Sequence, residues 1–247
     1  MREYLLFRIY APLASWGDIA VGEVRPSYSH PTRSALLGLL AAACGIERSD
    51  EPRQAALAAA CRFAVRVDNP GQFMRDYHTV QPPRSQKYPF FTRRDELIAV
   101  REQDADAIQS VRDYYMDALY TVCVWLAGDG SYPYSLQQLS QHLAAPVFAL
   151  YAGRKSCPLA APLQPHVVTA PTIKAAFDAA RWHDSAVPAS VPAPAVFFDE
   201  CDHAGFGGHQ LQKVVRRDVP ASRARWQFSE RYEVQARPPA PPQEPLP

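Results

Sequence analysis

The stretch PTRSALLGLLAAACG (31–45) indicates how the chain begins to fold, because its pattern predicts a helix with both ends marked. Thr32 can cap the N-terminus through its hydroxyl, and Gly45 permits the left-handed backbone that commonly ends a helix. The segments YLLFRIY (4–10) and RFAVRVD (62–68) on either side carry the β-branched, aromatic and alternating residues that are typical of strands. A strand, a helix and a second strand in this order predict an α+β fold.

A second set of elements repeats this order further along the chain. The near-continuous apolar segment ALYTVCVWLA (118–127) predicts a buried strand, and the capping box Ser135-Leu-Gln-Gln138 predicts a helix that ends before Pro146. VFALY (147–151) predicts a further short strand, and a short helix is predicted at about 51–61. Together these elements predict an RRM-like or ferredoxin-like core, in which helices cover one face of a sheet.

The segment from Asp76 to about Asp113 differs from the rest of this core, since it combines prolines, exposed-looking aromatic residues and basic residues. It lacks the apolar periodicity that a buried element needs, although ELIAV (96–100) is typical of a short strand. We therefore expect a long protruding β-hairpin, the arm, at about 78–113 between two strands of the core.

The C-terminal part is predicted to be smaller and mostly β. TIKAAFDAARW (172–182) predicts a helix, whereas VFFDE and QKVVRRDV predict strands on either side of a glycine-rich turn. The last eleven residues, RPPAPPQEPLP (237–247), contain six prolines and predict a disordered tail. The predicted organisation is therefore a core over 1–160, a β-rich part over 161–236 and this tail.

Composition and charge exclude several classes of protein. The chain has 26 Lys and Arg against 25 Asp and Glu, which excludes a histone-like tail or an acidic solvating segment but is compatible with a local basic patch. The longest apolar run, Ala35–Cys44, has ten residues, far fewer than the roughly 20 that a membrane-spanning helix needs. The first residues do not resemble a secretory signal, and the five cysteines form no disulfide or zinc pattern. We expect a cytoplasmic protein that does not enter a membrane.

Three basic segments carry residue types that hold nucleic acids. The loop GRKS (153–156) combines a glycine for close backbone approach, two cations and a hydroxyl, which suit a phosphodiester. Thr32-Arg33-Ser34 opens a helix, whose free N–H groups favour an anion, and Arg25 can add charge there. In the arm, basic residues alternate with aromatic rings that can stack on the bases of single-stranded RNA. A solvated turn, an ordinary N-cap and a protein-docking hairpin explain the same segments without RNA.

The basic residues are mostly arginine, with 22 Arg and 4 Lys. Arginine is the better bidentate partner for phosphates and bases, although a GC-rich genome produces the same bias. The composition therefore supports a nucleic-acid partner without deciding for it.

The signal for catalysis is weak. Tyr77, His78 and Lys87 carry the groups of a metal-independent ribonuclease, although a lone histidine beside a strand is commonly structural. Cys157 has no histidine partner, and DECDH (199–203) contains metal-ligand residue types at a spacing that matches no specific metal motif. We expect no metal, nucleotide or small-molecule cofactor.

Five motifs in a fixed order resemble one known family, and they are W-G (16–17), R-P (25–26), PTRSALLGLL (31–40), RDYHTV (75–80) and GRKSCPL (153–159). They are similar to the type I-E Cascade subunits of the CRISPR-associated family numbered five. Weaker similarity continues in QKVVRRDVP and in WQFSERY (226–232). Each motif alone is modest, whereas five in the correct order are specific.

The resemblance implies an RRM-like core with a thumb, which corresponds to the arm at about 78–113. It implies a subunit that caps the 5′ handle of the CRISPR RNA and whose thumb reaches the neighbouring backbone subunit. It also implies that the chain docks the large subunit, which reads the protospacer-adjacent motif, so that target DNA is a partner only indirectly. The arm sequence PPRSQKYPFFTRR (82–94) departs from the family pattern.

The residues expected to bind RNA are Arg25, Thr32, Arg33, Ser34, Tyr77, His78, Arg84, Lys87, Arg93, Arg94, Gly153, Arg154, Lys155 and Ser156. A type I-C cousin in the same family cleaves precursor RNA with Tyr, Lys and His, but the type I-E motifs favour binding without catalysis. The alternatives are an endoribonuclease that processes CRISPR precursor RNA and a scaffold whose arm binds only a protein neighbour.

Overall fold

A computed structural model describes residues 1–20, 22–80, 91–92, 94–95, 98, 108–128, 132–183, 186–222, 225 and 227–239 of the chain. The strands of this part are β1 (Arg2–Tyr10), β2 (Leu13–Ala14), β3 (Trp16–Gly17), β4 (Val24–Arg25), β5 (Ser27–Tyr28), β6 (Cys61–Asn69), β7 (Gln72–Val80), β8 (Ile108–Met116), β9 (Leu119–Leu126), β10 (His166–Ala170), β11 (Val196–Asp199), β12 (Gln210–Ser222) and β13 (Gln227–Arg237). The helices that pack on them are α1 (Arg33–Ala43), α2 (Glu51–Ala60), α3 (Leu136–Ala144) and α4 (Ile173–Ala179).

Within these residues, seven strands form one antiparallel sheet in the order β10-β1-β9-β6-β11-β13-β12. In the chain, α1 lies between β1 and β6, and α3 lies between β9 and β10. The predicted α+β class is confirmed. Strands from both sides of residue 160 share this sheet, and the division of the chain at that position stays a prediction.

The strand β1, which lies between β10 and β9, is buried on both faces, which explains its continuous apolar sequence. Leu5, Phe7 and Ile9 point into one core, to which α1, α2 and α3 contribute side chains. Tyr4 and Leu6 point into a second core, which α4 covers. The helices of the N-terminal part therefore lie on one face, as predicted, and α4 lies on the other.

The helix ends follow the capping residues that the sequence predicts. The Thr32 hydroxyl accepts a hydrogen bond from the Ala35 N–H at 3.2 Å, at the start of α1. Gly45, with a φ of +67°, ends that helix in the left-handed conformation that glycine adopts without strain. Ser135 and Gln138 form both bonds of the predicted capping box at α3.

The segment VFALY (147–151) is not a strand, so this prediction is wrong. The N–H groups of Val147 and Phe148 donate instead to the carbonyls of Ala43 and Ala42 at the end of α1, both at 3.1 Å. Because α1 takes these donors, they are not available for a ladder. β1 pairs with β9 on one edge and with β10 on the other, and the sequence pattern did not predict β10.

A second, smaller sheet is built around β8. β7 pairs with β8 along its whole length, from Gln72 opposite Met116 to Val80 opposite Ile108. β2 and β4 pair with different parts of the other edge of β8, β4 at Val111 and Arg112 and β2 at Tyr115 and Met116. The arm therefore begins as an antiparallel hairpin, β7–β8. Of ELIAV only Ile98 is described, and it is helical, so the strand prediction is wrong there.

The C-terminal elements agree with their sequence signals. The predicted helix contains α4, VFFDE contains β11, and QKVVRRDV lies within β12. The predicted glycine-rich turn lies between β11 and β12, where Gly205 and Gly208 have φ angles of +79° and +84°. Residues 240–247 of the predicted tail lie outside the described residues. No helix in the described ranges is long and apolar enough to cross a membrane.

Candidate nucleic-acid interface

The loop 153–156 is held against the strands that follow β1. Gly153 has a φ of +86°, and a Cβ atom at this position would lie 1.9 Å from the carbonyl oxygen of Ser15. The Ser15 N–H in turn donates to the carbonyl of Ala152 at 3.1 Å. Only glycine allows this close approach, so Gly153 fixes where the basic residues after it stand.

Arg154 joins three elements of the fold. Its guanidinium lies 4.9 Å from the centre of the Tyr114 ring, and Nη1 donates to the Tyr114 hydroxyl at 3.2 Å. Its Nη2 donates to the backbone carbonyl of Arg25 at 3.2 Å. These contacts bring the loop, β8 and β4 together, while the neighbouring Lys155 and Ser156 remain exposed.

Arg112 adds a further cation that the sequence analysis missed. In the parallel pairing of β4 with β8, Arg25 lies directly beside Arg112, and both side chains are exposed. Among the described residues, neither Arg112 nor Lys155 makes an ion pair or a side-chain hydrogen bond. We call Arg25, Arg112, Arg154 and Lys155 the basic cluster. Cations that share one surface raise the local positive potential there.

Tyr77 and His78 do not converge. They are consecutive residues of β7, so their side chains point to opposite faces of the small sheet. The His78 ring contacts the carboxylate of Asp76, which lies opposite Arg112 in the register, while Tyr77 is 58% exposed. A ribonuclease site that uses both side chains at one phosphodiester does not fit this arrangement.

The N-terminus of α1 does bind an anion, but the anion belongs to the protein itself. The backbone N–H of Arg33 donates to Oδ2 of Asp218 at 2.7 Å. The Arg33 guanidinium is buried and donates to Asp199 at 2.5 Å and to two backbone carbonyls. Thr32 is also buried, and Ser34 is half-buried with its hydroxyl 3.1 Å from that of Thr32. Thr32 and Arg33 are therefore engaged within the protein, and the prediction that they bind RNA stays a prediction.

Arg33 and Asp218 belong to a buried charge network that links α1 to the C-terminal strands. Arg231 of β13 donates to Asp218 at 2.7 Å, to Asp199 at 3.0 Å and to Glu233 at 2.8 Å. Glu233 also contacts His30 at 3.1 Å and Arg216 at 2.8 Å. Burial raises the pKa of Glu233, but these partners outweigh burial and lower the pKa to about 2.

The remaining chemical candidates have structural roles. Cys157 is buried, and burial raises the pKa of its thiol, which disfavours a nucleophilic thiolate. Asp199 of the DECDH segment belongs to the buried network, whereas Asp202 lies on the surface beside His203. In the described part of the chain, no group of three or more His, Cys, Asp or Glu side chains is arranged to hold a metal ion.

Most of the arm lies outside the described residues. Arg84, Lys87 and Arg93 lie outside the described residues, so their predicted RNA contacts stay predictions. Arg94 is exposed in a short helical piece. Of the residues predicted to bind RNA, Arg25 and the loop 153–156 are in contact, whereas Arg33 at the N-terminus of α1 contacts the buried carboxylates Asp218 and Asp199.

Comparison with known proteins agrees with the motifs. The family model of the "CRISPR-associated protein (Cas_Cas5)" matches residues 4–233. The CRISPR system Cascade subunit CasD of Escherichia coli (strain K12) is 35% identical over 171 residues, which cover 66% of this chain and 70% of that protein.

Solved structures resemble the chain over nearly its whole length. A chain of a CRISPR RNA-guided surveillance complex is similar with a TM-score of 0.63 and 27% identity, covering 96% of this chain and 91% of that one. The crystal structure of a Cas protein gives a TM-score of 0.56 at 24% identity, covering 95% and 94%, which supports the fold alone. Since the family model spans β1 to β13, the resemblance stated from the motifs is confirmed. The chain belongs to the CRISPR-associated protein family Cas5.

Proposed function

We propose that the chain is a non-catalytic subunit of a type I-E CRISPR Cascade complex and that it binds and caps the 5′ handle of the CRISPR RNA. The basic cluster carries this proposal, because it places the exposed cations Arg25, Arg112 and Lys155 beside the half-buried Arg154. A relative that is named a Cascade subunit and a relative in an RNA-guided surveillance complex support the same assignment.

The arrangement of the elements supports an RRM-like core. The order β10-β1-β9-β6, with α1 and α3 as the connecting helices, is that of the ferredoxin-like motif. We assign the hairpin β7–β8 as the base of the thumb, which reaches the adjacent backbone subunit. The large subunit docks on this chain as well, and target DNA is contacted only through it. In this role the chain supports antiviral DNA interference.

The geometry of the cluster suits a phosphodiester backbone. Arg154 is held by Tyr114 and by the Arg25 carbonyl, so little side-chain entropy remains to be lost when it meets a phosphate. Arg112 and Lys155 add charge beside it, and the Ser156 hydroxyl is an exposed donor. Binding without cleavage is favoured because Tyr77 and His78 lie on opposite faces of β7.

The salt dependence of RNA binding tests the cluster. The double variant Arg154→Ala with Lys155→Ala should bind handle RNA more weakly, and its dependence of log K on log salt should be shallower. Two lost contacts to a single-stranded backbone lower the slope by about 1.4. The matched control is Lys174→Ala with Arg181→Ala, which removes two exposed charges at α4 on the other face of the sheet. Equal slopes in the double variant and the wild type would place the RNA elsewhere.

The same preparation separates binding from catalysis. We expect the chain to retain a processed guide and to leave repeat RNA intact in the presence of a chelator. Cleavage that persists in chelator and disappears in His78→Ala would instead establish a metal-independent endoribonuclease.

A further inference from the structure

His78 and Asp76 of β7 form a surface pair to which RNA binding by the basic cluster gives no role. Nε2 of the His78 ring contacts Oδ2 of Asp76. Residues two apart in a strand point their side chains to the same face, and both side chains are partly exposed, 44% for His78 and 36% for Asp76. The ring therefore lies against the carboxylate at the surface of the small sheet.

Asp76 also lies opposite a cation of the basic cluster. In the antiparallel register of β7 on β8, Asp76 is paired with Arg112. The Cβ atoms of directly opposed residues are about 5 Å apart, and opposite charges at such positions ordinarily attract each other. Among the side chains that the structure describes, however, Arg112 forms no ion pair, and the Asp76 carboxylate is engaged by His78 instead.

The charges around His78 show which of them Asp76 can neutralise. The residue opposite His78 on β8 is the uncharged Ser110. Within the described strands β4, β7 and β8, the charged side chains on this face are Asp76, Arg112 and Arg25, and Arg154 of the loop stacks on Tyr114 beside them. Asp76 is thus the one carboxylate on this face of the three strands, and the cation directly opposite it is Arg112.

We infer that His78 is a positioning residue for RNA binding: it holds the Asp76 carboxylate away from Arg112 and keeps the Arg112 guanidinium available for a phosphate. Without His78, Asp76 pairs with Arg112, and this ion pair must break before Arg112 meets the RNA. The inference rests on the proposed function, because it assigns His78 a role at the same RNA-binding site.

The affinity for handle RNA tests this role. His78→Gln should bind about two- to fivefold more weakly than the wild type, which is the cost of breaking one exposed ion pair. Its dependence of log K on log salt should be shallower by up to about 0.7. Adding Asp76→Asn to His78→Gln should restore the affinity, whereas Asp76→Asn alone should change it less. The matched control is His183→Gln, which removes an exposed histidine beyond α4 and should leave the affinity unchanged.

The effect of Asp76→Asn in the two backgrounds decides between the possible roles of His78. Equal gains in affinity with and without His78 would mean that His78 does not act through Asp76. A loss in His78→Gln that Asp76→Asn fails to restore would assign His78 a direct contact with RNA. Either result would overturn the inference, as would an unchanged affinity in His78→Gln.

The pH profile separates positioning from a purely structural role. Histidine side chains ordinarily change charge between about pH 5 and 8, and an imidazolium holds a carboxylate more tightly than a neutral ring does. The affinity of the wild type relative to His78→Gln should therefore rise as the pH falls through this range. The rise should be absent when both proteins also carry Asp76→Asn. A rise of the same size in that background would show that the imidazolium acts on the RNA directly and would contradict the inference.

A measurement without RNA keeps this inference apart from the proposed function. In the chain labelled with nitrogen-15 arginine, the Arg112 Nε–H resonance is assigned by its loss in Arg112→Lys. It should move in His78→Gln, where Asp76 pairs with Arg112, and move back when Asp76→Asn is added. If the resonance moves in this way but the chain binds no RNA, the position of Asp76 is established and the RNA-cap proposal fails. If the chain binds RNA and the resonance does not move, the inference fails.

Discussion

Gly153 determines the position of the loop 153–156, because any side chain there would collide with the backbone of Ser15. We expect Gly153→Ala to lower the free energy of unfolding by about 2 kcal/mol and to weaken RNA binding, since the loop must move. Gly207→Ala is the control, because a Cβ atom at Gly207 meets open space. Urea denaturation of both variants measures the difference. Equal stability of the two would mean that the loop adapts without cost.

Two arginines show which features of the site could not be predicted from the sequence. Arg33 lies in a motif that predicts RNA binding, but it is buried, whereas Arg112 is exposed and was not predicted. The helix N-terminus at Arg33 attracts an anion as predicted, yet Asp218 supplies it from 185 residues away. Arg112 lies at the end of the predicted arm and belongs to none of the motifs. Only the register of β4 on β8 places it beside Arg25.

The buried network connects whole elements, and it lowers the pKa of the Glu233 carboxyl on β13. Its pKa of about 2 lies below the usual value of 4.5. A carboxyl whose pKa is lower in the folded than in the unfolded protein stabilises the fold at pH values above its unfolded pKa. This stabilisation is lost as the pH falls from about 4.5 towards 2.

Glu233→Gln should therefore lower the free energy of unfolding by about 3 kcal/mol at neutral pH, because Arg231, Arg216 and His30 lose a buried partner. The difference in the free energy of unfolding between this variant and the wild type should become smaller as the pH falls below about 4.5. Urea denaturation across that range checks both statements, with exposed Glu230→Gln on the same strand as the control. A constant gap at every pH would show that the carboxylate charge does not stabilise the fold.

Elements were predictable where the local pattern decided them. The apolar strands β1, β6 and β9 and the caps of α1 and α3 follow from residues close in sequence. VFALY has the composition of a strand. However, β propensity reflects how well side chains suit a half-buried sheet surface, and it does not predict which acceptor each backbone N–H finds. The N–H groups of Val147 and Phe148 bond to the end of α1, and no pattern within the segment predicts these bonds.

At the scale of the whole molecule, the C-terminal strands extend the sheet of the predicted core. β11 pairs with β6, and β13 and β12 follow it, so that residues from both parts of the chain share one sheet. Long-range pairings of this kind lie outside sequence patterns, whereas the order of the family motifs was sufficient to identify the family. The basic cluster, too, assembles from β4, β8 and the loop before β10, which lie far apart in the chain.

Ultraviolet crosslinking of the chain to a CRISPR RNA, followed by mass spectrometry of the linked peptides and mapping of the linked nucleotides, tests the central claim most directly. The account predicts crosslinks from the peptide around Lys155 to nucleotides of the 5′ handle, and their loss in Arg154→Ala with Lys155→Ala. Crosslinks that avoid this loop, or that map to the guide region and not to the handle, would contradict it.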